Sequence, residues 1–304
     1  MTNNKVTFKQ FYELSELYTA PLNLFIILLG ISSAHFLASA TLSLNLTLFI
    51  GIILCFHIAV NIFNHWMDYQ HAEDDHYKTV TNIIGRDHLS LTSVKLYFYG
   101  FMLLATLLGT YLVSQTNLIV GLLGCLGFYI GLFYSYGKYP LNSLPIAEIV
   151  TATASGFVIT LIAFYLSTLN TNSSYTLSIV SLAAISLPLV LSMFNNLLAN
   201  NTCDLEEDIN NNRHTLVYYL GKKKAVHLLI ALTVFNYLWL GVLVILHLAP
   251  ISILLLLITL PKVMSALGQY RQVQDKQTTF PIVLKSMSLM MVVYPVLYFV
   301  GSYF

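Results

Sequence analysis

The sequence predicts an all-α membrane protein with nine transmembrane helices. Of its 304 residues, 57% are hydrophobic and only 9% are charged, whereas a soluble domain carries roughly a quarter charged residues. Long apolar runs recur along the chain without the alternation that is typical of β-strands. These features exclude a water-exposed globular domain and a disordered chain. The net charge of +1 gives no basis for a nucleic-acid partner.

A helix needs about 20 mostly apolar residues to cross the hydrocarbon core of a bilayer. Nine segments reach that length, and the boundaries beside Pro261 are the least sharply marked. The predicted spans begin near Thr19, Leu44, Val94, Asn117, Ile146, Thr176, Lys224, Ile251 and Ile282. We expect helices because a backbone in lipid must satisfy its own hydrogen bonds. The spans are predicted to form a single transmembrane domain over residues 1–304.

The distribution of basic residues predicts the orientation in the membrane. If the N-terminus is cytoplasmic, every Lys and Arg falls on the inner side or near an inner helix end, including Lys138 after the fourth span and Arg213 after the sixth. Outer connections such as 114–117 and 167–175 contain no Lys or Arg. The acidic residues between the spans map to the same inner side. We therefore predict a multi-pass cell-membrane protein whose N-terminus and active site face the cytoplasm.

Two polar segments close apolar spans on that inner side. Segment A (residues 61–75) follows the second span and segment B (residues 200–208) follows the sixth. Residues four apart share a helix face, so we expect Asn64 to align with Asp68, and Asn200 with Asp204 and Asp208. Such polar stripes are costly at the end of an apolar helix unless water, metal or a partner satisfies them.

The residue types in both segments point to a metal and a phosphate ligand. Carboxylate and amide oxygens without Cys or paired His suit a hard cation such as Mg²⁺. Two facing acidic clusters would hold a diphosphate between metal ions, with Lys138, Arg213 and either Lys78 or Arg86 available to phosphate oxygens. The alternative is that either segment is merely a solvated loop. The related spacing of the two segments favours a site, whereas Glu73, Asp75 and Glu206 are individually expected to be solvated.

Taken together, these residues resemble the UbiA superfamily of intramembrane aromatic prenyltransferases. That family has a first Asp-rich motif after helix two, often a Tyr-x-x-x-Lys motif after helix four, and a second Asp-rich motif after helix six. The matching residues are Asn64, Asp68, Tyr134, Lys138, Asn200, Asn201, Asp204 and Asp208. The resemblance covers the chain from about Glu13 to the C-terminus. It implies a nine-helix bundle with a central cavity open to lipid, Mg²⁺ as cofactor and a polyprenyl diphosphate as substrate.

Within the family, the chain looks most similar to 1,4-dihydroxy-2-naphthoate polyprenyltransferases of menaquinone synthesis. The features that suggest it are Asn61, a distal acid at Asp74 instead of at Ala72, Glu148 after Tyr139-Pro-Leu, Arg213-His-Thr-Leu216 and Leu220-Gly221. Three positions depart from the family pattern: His65 replaces a common Asp, Ala72 a Gly or Asp, and His214 a basic residue. The loss of an acid leaves the number of metal contacts from segment A open.

The resemblance implies a role for each matched residue. Metal would be held by Asp68, Asp74, Asp204 and Asp208. Substrate binding is assigned to Asn61, Asn64, Arg86, Lys138, Asn200, Asn201 and Arg213, and catalysis to Asp68, Tyr134, Lys138 and Asp204. Neutralisation of the leaving diphosphate would produce an allylic carbocation in a dry pocket, where the π face of Tyr134 stabilises it. Attack by dihydroxynaphthoate with loss of carbon dioxide would give demethylmenaquinone.

Other functions remain as alternatives at this point. The same transfer could use another acceptor, 4-hydroxybenzoate or a tetrapyrrole. An ion-coupled transporter would place its acidic groups near the bilayer midplane in broken helices, whereas here they gather at one end of the spans. A lipid head-group phosphotransferase would resemble a different pattern, Asp-Gly-x-x-Ala-Arg, which the sequence lacks.

Overall fold

A computed structural model describes residues 6–40, 42–169 and 179–304, and all regular structure in these ranges is helical. The α-helices are α1 (Phe8–Leu14), α2 (Pro21–Ala38), α3 (Leu44–His71), α4 (Ile83–Arg86), α5 (Leu91–Gln115), α6 (Leu118–Phe133), α7 (Ala147–Thr153), α8 (Ile159–Thr168), α9 (Ile179–Cys203), α10 (Leu205–Asn210), α11 (Leu216–Leu220), α12 (Lys222–Ile245), α13 (Leu260–Gln272) and α14 (Phe280–Tyr303). The all-α class predicted from the sequence is confirmed for the described part of the chain.

Eight helices in these ranges are long and apolar enough to cross a membrane, so the chain is a multi-pass membrane protein. Two of them are composite. The span Ala147–Thr168 joins α7 to α8 through a π-helical turn, and Ile251–Gln272 joins a 3-10 segment to α13. The predicted fourth span corresponds to α6, an apolar helix of only 16 residues. The predicted start at Thr176 lies outside the described residues.

The chain forms two compact units. Unit 1 comprises Met1–Leu24, Leu44–Ser143 and Asn210–Arg213, and unit 2 comprises Phe25–Ser43, Leu144–Ile209 and His214–Phe304. In unit 1, α3 packs against α5 through buried aromatic side chains. The rings of Phe63 and Phe98 stack with their centroids 4.8 Å apart, and Trp66 contacts both rings. This aromatic cluster fixes the end of α3 that carries segment A.

Unit 2 is organised around α9, whose interior contains Pro188. Proline has no N–H, so the carbonyl four residues earlier loses its helical donor. That carbonyl, Ala184 O, accepts a hydrogen bond from the indole of Trp239 on α12 at 3.0 Å. Further bonds join the same two helices, with Asn236 Nδ2 donating to Pro188 O at 3.0 Å. These bonds satisfy polar groups that lipid could not.

A close approach of backbones holds the α7–α8 span against α9. Gly156 lies in the π-helical turn, and a Cβ at this position would come within 2.8 Å of Val190 N and 3.0 Å of Val190 Cα. The contact is with backbone, so it could not be relieved by moving a side chain. The absence of a side chain at Gly156 therefore allows the packing that brings Glu148, the second residue of α7, to the C-terminal end of α9.

Candidate functional site

Segment A begins on the last turns of α3. This helix has 28 residues, which at about 1.5 Å per residue span about 42 Å, more than the ~30 Å thickness of a hydrocarbon core. The helix is therefore long enough for its polar end to extend beyond the hydrocarbon core. Asn64 and Asp68 lie on this end, one turn apart, and both are partly exposed. Asp68 Oδ2 accepts a long hydrogen bond of 3.4 Å from the hydroxyl of Tyr77.

A chain of hydrogen bonds connects Asn64 to the loop after α6. Asn64 Oδ1 accepts from Ser135 Oγ at 3.0 Å, and Ser135 Oγ accepts from Asn142 Nδ2 at 3.3 Å. Ser135 and Asn142 are both buried, so the bonds are shielded from water. The structure thus places the loop of Tyr134 and Lys138 beside α3, in the same unit as Asn64.

Within that loop, the backbone turns at Gly137, whose φ of 114° lies in the left-handed region that favours glycine. The turn leaves Lys138 exposed, with its ammonium 5.3 Å from the ring of Tyr139. Tyr134 O accepts from the amide of Asn142 at 2.8 Å, which closes the loop. Gly137 therefore allows the turn that leaves Lys138, the residue predicted to bind diphosphate, exposed at the surface.

The distal end of segment A is bound by residues 210–213, which follow segment B in the chain but belong to unit 1. Asn211 Oδ1 accepts from the amides of Glu73 (3.3 Å) and Asp74 (3.4 Å), and Asn212 Nδ2 donates to Glu73 Oε2 at 2.9 Å. Sequence reasoning missed both asparagines, although the run of three at 210–212 was a visible signal. These bonds order the backbone around Asp74.

Arg213, at the end of that stretch, lies close to the loop after α6. Its Nη2 donates to Asn142 O at 3.5 Å, and Asn142 is the residue that also bonds Ser135. Unit 1 therefore connects three predicted site residues, Asn64, Tyr134 and Arg213, through hydrogen bonds that meet at Asn142 and Ser135, and Asp74 is bonded to Asn211, two residues before Arg213.

Two residues assigned to substrate binding have other partners in unit 1. Asn61 Nδ2 lies 2.9 Å from His57 O and 3.2 Å from His57 Nε2. Arg86 pairs with Glu13 at 2.8 Å and with Asp87 at 2.9 Å. The hydrogen bond from the Arg86 guanidinium lowers the pKa of the Asp87 carboxyl. The two residues therefore make stabilising contacts here, and their assignment to substrate stays a prediction.

Asn82 connects the loop that follows segment A to α3. Its Oδ1 caps the N-terminus of α4 through the amide of Ile84 at 2.9 Å, and its Nδ2 donates to His65 O at 2.9 Å. The side chain is 2% exposed. We expect Asn82→Ala to lower the free energy of unfolding by about 1–2 kcal/mol, because it removes a helix cap and the hydrogen bond that ties the loop to His65 O. Thermal unfolding in detergent would measure the loss, and an unchanged midpoint would contradict it.

Segment B continues α9 across a bend at Asp204. The amide of Asp204 donates to Asn200 O at 3.1 Å, and that of Asp208 donates to Asp204 O at 2.8 Å. Helical hydrogen bonding therefore runs from α9 into α10. Asn200 Nδ2 also reaches Asp204 Oδ2 at 3.0 Å, as expected for residues four apart, and Asp208 is 4% exposed.

A lysine lies on the oxygens of segment B. Lys276, in the loop between α13 and α14, donates to Asn200 Oδ1 at 2.6 Å and forms an ion pair with Asp204 Oδ2. Glu206 instead points to solvent and pairs with Lys222 at 2.7 Å, and this hydrogen bond lowers the pKa of Glu206. The amide and carboxylate of Asn200 and Asp204 thus converge on a cationic group, whereas Glu206 belongs to the surface.

Asn201, unlike its neighbour Asn200, does not contact Lys276 in the described bonds; its side chain contacts Glu148 instead. Its Nδ2 donates to Glu148 Oε1 at 2.9 Å, with both residues buried. A carboxylate without solvent access is costly unless it is hydrogen-bonded, so this bond holds segment B to the start of α7. The sequence analysis noted Glu148 without assigning it a contact.

The side chains fit a hard cation through their donor chemistry. No group of three or more His, Cys, Asp or Glu side chains converges as a metal site among the described residues. Mg²⁺, however, takes only one or two carboxylates and fills its remaining positions with water and phosphate oxygens. The oxygens of Asn200 and Asp204 already hold an ammonium, which shows that the pair accepts positive charge.

Comparison with known proteins identifies the family. A model of the UbiA prenyltransferase family matches residues 23–292. A 1,4-dihydroxy-2-naphthoate octaprenyltransferase from Bacillus subtilis (strain 168) is 29% identical over 265 residues, covering 86% of this chain and 82% of that protein.

The fold is similar to that of solved structures. One is a UbiA homolog from Archaeoglobus fulgidus bound to GPP and Mg²⁺, with a TM-score of 0.61 and 13% identity over 97% of this chain and 100% of the other. Another is a UbiA homolog from Aeropyrum pernix K1, with a TM-score of 0.64 and 12% identity over 92% and 97% of the two chains. The family match covers most of both units, and the chain belongs to the UbiA prenyltransferase family.

Proposed function

We propose that this protein transfers a polyprenyl group from a polyprenyl diphosphate to 1,4-dihydroxy-2-naphthoate, with decarboxylation to a demethylmenaquinone. The observation that carries the proposal is the 29% identity, over most of both chains, to a protein with that acceptor. Membership in the prenyltransferase family supports the transfer itself. The oxygen-rich ends of α3 and α9 supply residues suited to metal ions that would in turn bind a diphosphate substrate.

In this proposal, Mg²⁺ is held by Asp68 and Asp74 of segment A and by Asp204 and Asp208 of segment B. When bound, the metal neutralises the charge that develops on the departing diphosphate. Asn200 orients Asp204 through the 3.0 Å bond between their side chains. The solved homolog from Archaeoglobus fulgidus bound to GPP and Mg²⁺ makes this choice of metal the natural one to test.

The basic and aromatic residues of unit 1 complete the proposed machinery. Lys138 is exposed at the Gly137 turn and can reach phosphate oxygens. Arg213, whose guanidinium can bind phosphate through two N–H groups, is held beside the same loop. Tyr134 offers its π face to the allylic cation that remains after diphosphate leaves. Asn64 fixes the loop through Ser135.

The proposed arrangement in the membrane lets the prenyl chain enter from the bilayer. We propose nine crossings within one domain of residues 1–304, with α6 as the short fourth span, a central cavity open to lipid, and the N-terminus and active site on the cytoplasmic side. The 16 residues of α6 would cover about 24 Å as a helix, slightly less than the ~30 Å core, which a local thinning of the bilayer accommodates. An apolar cavity would exclude water that otherwise quenches the cation.

The test is a reaction with purified protein in detergent, Mg²⁺, a polyprenyl diphosphate and 1,4-dihydroxy-2-naphthoate. We expect a prenylated, decarboxylated product by mass spectrometry, and its complete loss when EDTA is added, because without the metal ions the carboxylates of the two segments would repel the diphosphate. Readdition of Mg²⁺ should restore the product. Turnover with 4-hydroxybenzoate or a tetrapyrrole alone would keep the transfer and overturn the acceptor. No product with any aromatic acceptor would overturn the proposal.

A further inference from the structure

We propose that Lys276 is a built-in counter-cation of segment B. In the metal-free protein its ammonium occupies the position between Asn200 Oδ1 and Asp204 Oδ2, and there it competes with the divalent cation. The inference rests on the proposed function, because it takes Asp204 as a metal ligand. It adds a residue outside both acidic segments to the binding of metal and diphosphate.

Asp204 Oδ2 already has two hydrogen-bond partners. This oxygen accepts from Asn200 Nδ2 at 3.0 Å and pairs with the Lys276 ammonium. A carboxylate oxygen offers about two lone-pair sites, so both are engaged. The ammonium also takes Asn200 Oδ1, at 2.6 Å. A metal ion that is to use the Asn200 and Asp204 oxygens together must therefore displace Lys276.

The loop that carries Lys276 is ordered by its own hydrogen bonds. Asp275 Oδ1 accepts from the amides of Gln277 (3.1 Å) and Thr278 (2.8 Å) and from Thr278 Oγ1 (2.6 Å). Thr279 Oγ1 donates to Val273 O at 2.8 Å. These bonds close the loop on both sides of Lys276. The fold thus presents the ammonium to segment B on a fixed turn.

The ammonium can leave that position at little cost. Its side chain is 46% exposed, and an ion pair with this access to water is weak. Its Nζ also lies 5.1 Å from the centroid of the Phe280 ring, within the range of a cation–π contact. After displacement, the charge remains within reach of segment B and of any anion bound there.

This arrangement links metal binding to the arrival of diphosphate. Without an anion, two cations compete for the same oxygens, so the metal binds weakly. A diphosphate offers new oxygens to the displaced ammonium, which removes the competition. We therefore expect Lys276 to weaken the binding of metal alone and to strengthen the dependence of that binding on diphosphate.

The experiment measures Mn²⁺ binding to the detergent-solubilised full chain by electron paramagnetic resonance, with and without inorganic pyrophosphate and with no acceptor. Lys276→Met removes the charge and keeps the aliphatic stem. We expect it to tighten Mn²⁺ binding about three- to tenfold in the absence of pyrophosphate, and to reduce the further tightening that pyrophosphate produces. Lys276→Arg should remain close to the wild type. Lys285→Met removes an equal charge from an exposed position on α14 and should change nothing.

Each other outcome has a distinct meaning. Equal or weaker Mn²⁺ binding by Lys276→Met would overturn the inference and leave Lys276 as a loop anchor. Equal tightening by Lys285→Met would overturn it as well, because general charge would then suffice. Asp204→Asn, measured alongside, should weaken Mn²⁺ binding. If it does not, the proposed metal role of segment B fails, independently of Lys276.

Discussion

Replacing Asp68 or Asp204 with Asn is expected to lower the rate of prenyl transfer by about 10²–10⁴-fold, the range that corresponds to several kcal/mol of lost charge stabilisation. Each variant keeps the size of the side chain and one of its two oxygens, but it replaces the other oxygen with an NH2 group and loses the negative charge. The described contacts of Asp68, a 3.4 Å bond from Tyr77, can be made by Asn. Steady-state assays with both substrates, together with thermal unfolding in detergent, would separate lost chemistry from lost folding.

The chain offers a matched control in each segment. Asp75→Asn removes a charge from an exposed residue of segment A, and Glu206→Gln removes one from segment B, where the side chain is 72% exposed and paired with Lys222. Both controls should retain most of the wild-type rate. If the controls lose as much activity as the test variants, the effect comes from general charge near the site. Near-normal turnover by Asp68→Asn or Asp204→Asn would remove that residue from the site.

Local periodicity predicted the all-α class, and among the described residues eight of the predicted spans match helices long enough to cross a membrane, while the fourth matches the shorter α6. The predicted starts at Leu44 and Ile251 coincide with those of candidate spans. The spacing of Asn200 and Asp204 predicted that they share a helix face, and their side chains are hydrogen-bonded to each other. Both inferences depend on residues within one or two turns of each other, where the geometry of a single helix decides the outcome.

Contacts between distant parts of the chain were not predictable in the same way. Glu148 and Asn201 are 53 residues apart, and Lys276 and Asp204 are 72 apart. No single-helix period relates such residues, because their meeting depends on how helices pack. Nor did composition reveal that residues 210–213 would cap the backbone of segment A. The sequence predicted candidate site residues from their types and spacing, whereas packing determined which distant side chains contact them.

The two segments differ in how their chemistry is supported. Segment A is hydrogen-bonded to uncharged side chains, with Ser135 donating to Asn64 and Asn211 accepting from the amide of Glu73, and Ser135 is in turn bonded by Asn142. Segment B instead contacts the Lys276 ammonium through Asn200 and Asp204 and the buried Glu148 carboxyl through Asn201. Substitutions around segment A should therefore act mainly through geometry, and those around segment B through both geometry and electrostatics.

Glu148→Leu is expected to disturb the position of segment B. We expect a loss of about 3 kcal/mol in the free energy of unfolding and a transfer rate about 10–100-fold lower. Glu148 is completely buried, and its Oε1 accepts from Asn201 Nδ2 at 2.9 Å. Leu fills a similar volume without an acceptor, so the buried amide of Asn201 loses its partner. Asn201 would then shift, together with the neighbouring Asn200 and the end of α9.

Glu148→Gln distinguishes positioning from bulk stability, because its side-chain oxygen can still accept from Asn201. We expect Gln to restore most of the rate and most of the stability that Leu loses. Thr151→Val is the matched control on the same helix, since the Thr151 hydroxyl is buried and makes no hydrogen bond within the described residues. It should leave the rate and the unfolding midpoint nearly unchanged. If Leu is as active as Gln, the bond between Glu148 and Asn201 does not position segment B, and the carboxyl is retained for another reason.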